Sequence, residues 1–291
     1  MTQTKRPIAL ITGASGGMGR AIARRLGATM DLFLTDVAVD PLEAMAKALG
    51  DEGYGLTGCE AGDLADPALL SRIVEAMEKA GGVGVLVHTA GLSPAQADWR
   101  KILHVNVAAT QVLLDAVEPV LATGAVGVLI ASMGGYRDPG LVEADRLLDQ
   151  PVDEAALDQI KPYLFRAGKT GAEAEMIASQ LAYVLSKRAV IRLAERRASR
   201  WGERGGRIVS ISPGVIYTPM GVREAESNPQ TKAGIQTQPV GRWGTAMDIA
   251  AAVEFLISPG ASFITGCDLR VDGGSTALVK AGLGRADSVA R

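Results

Sequence analysis

Apolar residues along this chain gather in short runs, separated by longer stretches of helical periodicity. The runs are "IALIT" (8–12), "DLFLTD" (31–36), "YGLTGCEAGD" (54–63), "VGVLVHTAG" (83–91), "GVLIASM" (127–133), "RIVSISPG" (207–214) and "DLRVDGG" (268–274). Helices are predicted near 17–27, 40–50, 67–80, 98–122, 172–202 and 246–258. Strands that are apolar on both faces and alternate with helices imply a parallel sheet covered on both sides. The expected fold is therefore α/β, a doubly wound Rossmann-type sheet of about seven strands forming one domain over 1–291. Residues 136–178 break the rhythm. They carry two helical patterns, "LVEADRLLDQ" and "DEAALDQIKPYL", interrupted by Pro151 and Pro162.

Bulk composition narrows the function classes. Hydrophobic residues make up 47% and charged residues 21%, enough for a large core. Thirty basic against 32 acidic residues, a formal charge of −2, offer no basic surface for nucleic acid or an anionic membrane. Cys59, Cys267, His88 and His104 are the only thiols and imidazoles, without metal-ligand spacing, so no metal site is expected. No apolar run approaches the ~18 residues of a membrane span, and "MTQTKRPIALITG" has no leader pattern. A cytoplasmic location is expected.

Two local patterns point to chemistry. In "ITGASGGMGRAIARRL", Gly13, Gly17 and Gly19 join the first strand to a helix, a turn that lets backbone approach a ligand closely. The helix N-terminus behind it suits a pyrophosphate. The spacing is G-x-x-x-G-x-G, with Ile22 where the last glycine of G-x-G-x-x-G would fall. Asp36 ends the second strand, where a carboxylate accepts ribose hydroxyls and repels a 2′-phosphate. Gly16 and Val37 offer no cation there, so NAD is expected over NADP. The second pattern is "QLAYVLSKRAV" (180–190), which places Tyr183 and Lys187 on one helix face. The other tyrosines lack this arrangement, because Tyr163 finds its lysine six residues on, at Lys169, and Tyr136 has Gly140 at the fourth position. His88 is read as packing under the cofactor, and "RLAERRASR" (192–200) as a solvated helix face.

In order along the chain, "TGASGGMG" (12–19), "GDLAD" (62–66), "HTAG" (88–91), "ASMGG" (131–135), "YVLSK" (183–187), "SPGVIYTPM" (212–220) and the block 241–274 resemble the short-chain dehydrogenase/reductase family, in its short single-domain subtype. The resemblance implies a catalytic set of Asn106, Ser132, Tyr183 and Lys187. Asn106 bends its helix and anchors a water, Ser132 binds the substrate oxygen, Tyr183 exchanges the proton and Lys187 grips the nicotinamide ribose. It also implies cofactor contacts from Gly13, Ser15, Gly17, Met18, Gly19 and Asp36, from Asp63 and Leu64 at the adenine, and from Ala90 and Gly91. Pro213, Gly214, Ile216 and Thr218 would hold the carboxamide. Thr89 departs from the family's usual Asn, which puts one contact beneath the cofactor in question.

The implied reaction is hydride transfer between NAD(H) and a secondary alcohol or ketone. A tyrosine of pKa ~10 is a poor base, and bringing it to ~7 takes roughly 4 kcal/mol of phenolate stabilisation. Lys187 and the oxidised nicotinamide are the expected sources. Ser132 and Tyr183 lie 51 residues apart, so the segment 136–178 is an insertion expected to form a lid or pocket wall. A similar enlargement occurs in bacterial 3α-hydroxysteroid dehydrogenase/carbonyl reductases, which implies a bulky apolar substrate: a steroid, terpenoid or aromatic. Met133, Tyr136, Val215, Tyr217 and Met220 are the expected wall, with Arg137 and Arg166 free for an acidic group. A homodimer or homotetramer is expected, its pairing altered by the insertion. The alternatives are an NADPH-dependent ketoacyl-type reductase and a non-catalytic dinucleotide-sensing or scaffolding protein.

Overall fold

The computed structural model describes residues 6–165, 168–227, 235 and 238–281. Seven parallel strands form one sheet in the order β3-β2-β1-β4-β5-β6-β7. They are β1 (Ile8–Thr12), β2 (Asp31–Asp36), β3 (Leu56–Ala61), β4 (Val83–His88), β5 (Leu121–Ile130), β6 (Arg207–Pro213) and β7 (Asp268–Val271). The order reverses between β1 and β4, and such a switch point opens a crevice at the carboxyl ends of the strands.

Alternate residues of the inner strands feed two cores. Ile8 and Leu10 pack beneath α3 (Pro67–Ala80), α5 (Ala109–Val117) and α8 (Gly171–Gly202). Ala9 and Ile11 face α1 (Gly17–Gly27), α2 (Val39–Asp51) and the helix Ala246–Ile257, here α10. Asp66 caps α3 by accepting from Ala68 N–H at 2.9 Å, and Pro67 supplies its first turn. Gly127 has no side chain because the fully buried Trp201 indole would meet its Cβ at 2.7 Å.

The structure departs from expectation in β5, in the helix predicted over 98–122 and in two further helices. β5 begins at Leu121 rather than near 127, since Leu121 pairs with Val83 before an irregularity brings Val126 opposite Val85. The predicted helix 98–122 is α4 (Trp99–Leu103), a π turn (His104–Ala108) and α5, with Ala109 N–H reaching back to His104 O. Two further helices, α9 (Pro219–Ser227) and α11 (Ser275–Lys280), lie outside the predicted set.

The insertion folds as α6 (Val142–Leu148) and α7 (Glu154–Leu164). Pro162 does not end α7; the helix runs two residues further and buries Leu164. Leu148, Leu157, Ile160 and Leu164 join Trp99, Ile102, Leu103 and Leu185 in a third core beside α4 and α8. Gln111 of α5 fixes the link between the two helices, donating to Leu148 O (3.3 Å) and Gln150 O (2.9 Å) and accepting from Val152 N–H (2.9 Å). Asp145 pairs with Arg188 and Arg192, and Asp149 with Arg192 and Arg196. The basic run 192–200 is thus an ion-pair ladder rather than a solvated face, with Arg197 and Arg200 reaching Asp115 and Glu118.

Candidate active site

Glycine is enforced in the turn after β1 by close approaches. A Cβ on Gly19 would sit 2.3 Å from Gly13 O, and one on Gly13 would sit 2.7 Å from Ala90 N and 2.8 Å from Thr89 Oγ1. Gly13 also has φ 61°, the left-handed region. Helix α1 is capped by Gly16 with no side chain on its first N–H groups, and no acidic residue lies in its first turn. That is a cradle for an anion. Thr89 answers the departure from Asn by donating its hydroxyl toward Thr12 O (2.8 Å) and Gly13 O (3.1 Å), which ties β4 to the glycine turn.

Asp36 is fixed before any ligand arrives. Its Oδ2 accepts from Ser15 N–H (3.0 Å) and Ser15 Oγ (2.7 Å), and its Oδ1 from Ala38 N–H (3.3 Å). Arg20 donates to Ser15 O at 2.7 Å, a nearby cation that the sequence reading passed over. Asp63 accepts from Ala65 N–H (2.9 Å) and faces Lys101 (3.5 Å). Burial opposes its charge, yet these contacts hold its carboxyl below the usual range. Leu64 is buried beside it. Met18 packs against the α1-side core, and Thr218 meets the turn, since a Cβ on Gly17 would lie 2.7 Å from Thr218 Cγ2.

Asn106, Ser132, Tyr183 and Lys187 converge at the carboxyl end of the sheet. A Cβ on Gly91 would lie 3.2 Å from Asn106 Oδ1 and 3.3 Å from Lys187 Nζ. A Cβ on Gly134 would lie 3.4 Å from both Ser132 Oγ and Tyr183 Cε1. Asn106 sits in the π turn, accepting from Leu92 N–H (2.7 Å) and donating to Leu92 O and Ser186 Oγ (both 3.0 Å). Lys187 Nζ donates to Ile130 O at 3.0 Å and stands 6.0 Å from the Tyr183 ring centre.

Burial decides the resting protonation. It pushes the Tyr183 phenol above its ordinary value, as does Glu224, while a hydrogen bond from Ser132 and the charge of Arg137 act the other way. Burial also lowers Lys187 to about 8, with Glu224 opposing. Lys187 alone therefore does not make a phenolate of Tyr183. Glu224 of α9 is the acid that the sequence reading missed. Burial raises its carboxyl, and Lys187 and Arg137 pull it down, so these groups form one electrostatic cluster.

The expected pocket wall is only partly assembled. Tyr136 donates its hydroxyl to Asp268 (2.8 Å), with Arg270 and Lys280 against its ring, so it serves β7 rather than the site. Tyr217 is 65% exposed and packs edge-on to Trp243. Met133 begins the short turn that carries Gly134, while Val215 lines a 290 Å³ pocket with Gly214, Ile216 and Asp272. Met220 is half-buried at the start of α9. Arg166 lies outside the described residues. Cys59 and Cys267 are exposed, and no cluster that could hold a metal occurs among the described residues. Nor is any helix there long and apolar enough to cross a membrane.

The chain is similar to known proteins in sequence and in fold. A family profile described as short chain dehydrogenase matches residues 7–142, and one described as enoyl-(acyl carrier protein) reductase matches 169–276. A short-chain dehydrogenase/reductase, bsc3, of Alternaria brassicicola is 30% identical over 93% of this chain and 96% of its own. D-threitol dehydrogenase of Mycolicibacterium smegmatis is 30% identical over 92% of both chains. The crystal structure of levodione reductase superposes with a TM-score of 0.73 at 26% identity, covering 93% of this chain and 98% of that one. The chain is an oxidoreductase of the short-chain dehydrogenase/reductase family.

Proposed function

We propose that this protein moves hydride between NAD(H) and a secondary alcohol or its ketone, with Tyr183 as general acid/base. The observation that carries this reading is the convergence of Ser132 and Tyr183 beside Gly134, with Lys187 and Asn106 beside Gly91. The fit to a dinucleotide rests on the uncapped start of α1 behind Gly13–Gly19 and on the pre-oriented Asp36. NAD supplies the hydride acceptor and, when oxidised, a positive charge beside the phenol. Asp36 would take the adenosine ribose hydroxyls and Asp63 and Leu64 the adenine. Ala90, Gly91 and the 213–218 segment would line the nicotinamide half.

Lys187, anchored on Ile130 O, would hold the second ribose and lower the cost of phenolate. Ser132 would donate to the substrate oxygen as its charge develops. Tyr183 takes the hydroxyl proton in oxidation and returns it in reduction. Held by Asp36 with no cation bonded to it, the ribose site favours NAD over the NADPH-dependent ketoacyl alternative. An intact catalytic set disfavours a purely sensing or scaffolding role.

For the substrate, one observation favours hydroxylated molecules over the bulky apolar class. Tyr136 and Tyr217 are engaged elsewhere, while Glu224 and Arg137 couple electrostatically to Tyr183. The threitol dehydrogenase named above and a related galactitol 2-dehydrogenase of Cereibacter sphaeroides act on polyols. The insertion would then form one wall of the mouth rather than a greasy cavity. Polyols, hydroxysteroids and aryl carbinols, assayed by NADH absorbance, separate the two classes. Tyr183→Phe should lower kcat by at least about a thousandfold with NAD binding retained. Unchanged turnover in that variant would refute the mechanism.

A further inference from the structure

A chain of buried hydrogen bonds runs from the glycine turn to the π turn, and its direction can be read without ambiguity. Asn106 O can only accept, so the Thr110 hydroxyl, 2.9 Å away, gives its proton there. The Thr110 oxygen then faces His88 Nε2 at 2.8 Å as an acceptor, which requires the hydrogen to be on Nε2. His88 Nδ1 is left with a lone pair toward Thr12 Oγ1 at 2.7 Å, so Thr12 donates. The Thr12 oxygen closes the series by accepting from Ala90 N–H at 3.4 Å. Thr12, His88 and Thr110 are at most 2% exposed, so water does not replace these partners.

Both ends of the series matter. Thr12 immediately precedes Gly13, and Ala90 N lies 2.7 Å from where a Cβ on Gly13 would fall. At the other end, Asn106 O belongs to the π turn whose side chain fixes Leu92 and Ser186, one residue from Lys187. Imidazole spans a gap that a single hydroxyl or amide does not, accepting on one nitrogen while donating from the other.

We propose that His88, as its Nε2–H tautomer, is a positioning residue that locks the dinucleotide turn and the Asn106 π turn into one register through Thr12 and Thr110. Thr110 fills one lone pair of the Asn106 carbonyl in a fixed direction and so holds that turn of backbone in place. Burial keeps the imidazole neutral, lowering its pKa to about 3 with a smaller contribution from Lys187.

The functional half of this inference rests on the proposed hydride transfer; the tautomer does not. Nitrogen-15 NMR of histidine-labelled protein should show His88 as neutral Nε2–H, unchanged between about pH 5 and 8. An Nδ1–H tautomer or an imidazolium would overturn the proposal whether or not the protein turns over any alcohol. In kinetics, Thr110→Val should cut kcat about tenfold and leave KM for NAD within about twofold. Thr12→Val should instead raise KM for NAD. His88→Asn, which retains reach to Thr12 only, should match Thr110→Val, and the double variant should fall no further. A folded Thr110→Val enzyme with unchanged kcat, or additive losses in the double variant, would refute the coupling.

Discussion

Replacing Gln111 by methionine tests whether one buried amide holds the insertion in place. Methionine keeps nearly the same volume and removes every hydrogen bond. Val152 N–H and Leu148 O then lose a partner inside the protein, and Gln150 O loses one nearer the surface. Each buried group left unsatisfied costs about 1–3 kcal/mol, partly offset because no amide is desolvated, for a net loss of about 2–4 kcal/mol. With an unfolding entropy of roughly 2.1 cal/mol/K per residue, 3 kcal/mol over this chain lowers Tm by about 5 °C. The loss should be local first. Limited trypsin digestion should speed cleavage after Arg146, which lies in α6. If Tm stays within about 1 °C and the cleavage rate is unchanged, the third core holds the insertion without Gln111.

Two further results follow from charges described above. Asp36→Ser should raise KM for NAD about tenfold and give measurable turnover with NADP, because Arg20 at Ser15 then faces a ribose site without a carboxylate; a wild-type preference for NADP would refute this. His88 is lowered from 6.5 to about 3, so the unfolded chain binds its proton first as pH falls. Its contribution is constant above about pH 6.5 and declines by about 1.4 kcal/mol per unit toward pH 3. Urea midpoints at pH 7 and 5 should therefore converge in His88→Asn relative to wild type, and equal slopes in the two proteins would refute the assignment.

The sheet, the glycine turn and the Tyr183–Lys187 pair were legible because each depends on local spacing. The bend at Asn106 was implied by the family resemblance alone, and its form as a π turn was not legible, since Asn106 is held by Leu92 and Ser186, groups 14 and 80 residues away. Glu224 escaped notice for a similar reason, as only the return of α9 over the sheet end couples it to Lys187. The arginines 188, 192 and 196 and the aspartates 145 and 149 each repeat at helical spacing, yet nothing in either pattern names the other as partner. Tyr136 and Tyr217 were assigned to a pocket by position in the chain, and the partners they chose, Asp268 and Trp243, come from distant segments.

The ladder on α8 has a mechanical meaning. Arg188 is clasped by Asp145 of the insertion, while its neighbour Lys187 is pinned to Ile130 at the end of β5. The same helical turn is thus gripped from two sides, by the sheet and by the inserted segment. Helix α6 acts as a brace on the turn that carries Lys187. Loosening that brace would free one side of the turn that carries Lys187 while leaving the hold of the sheet on it unchanged.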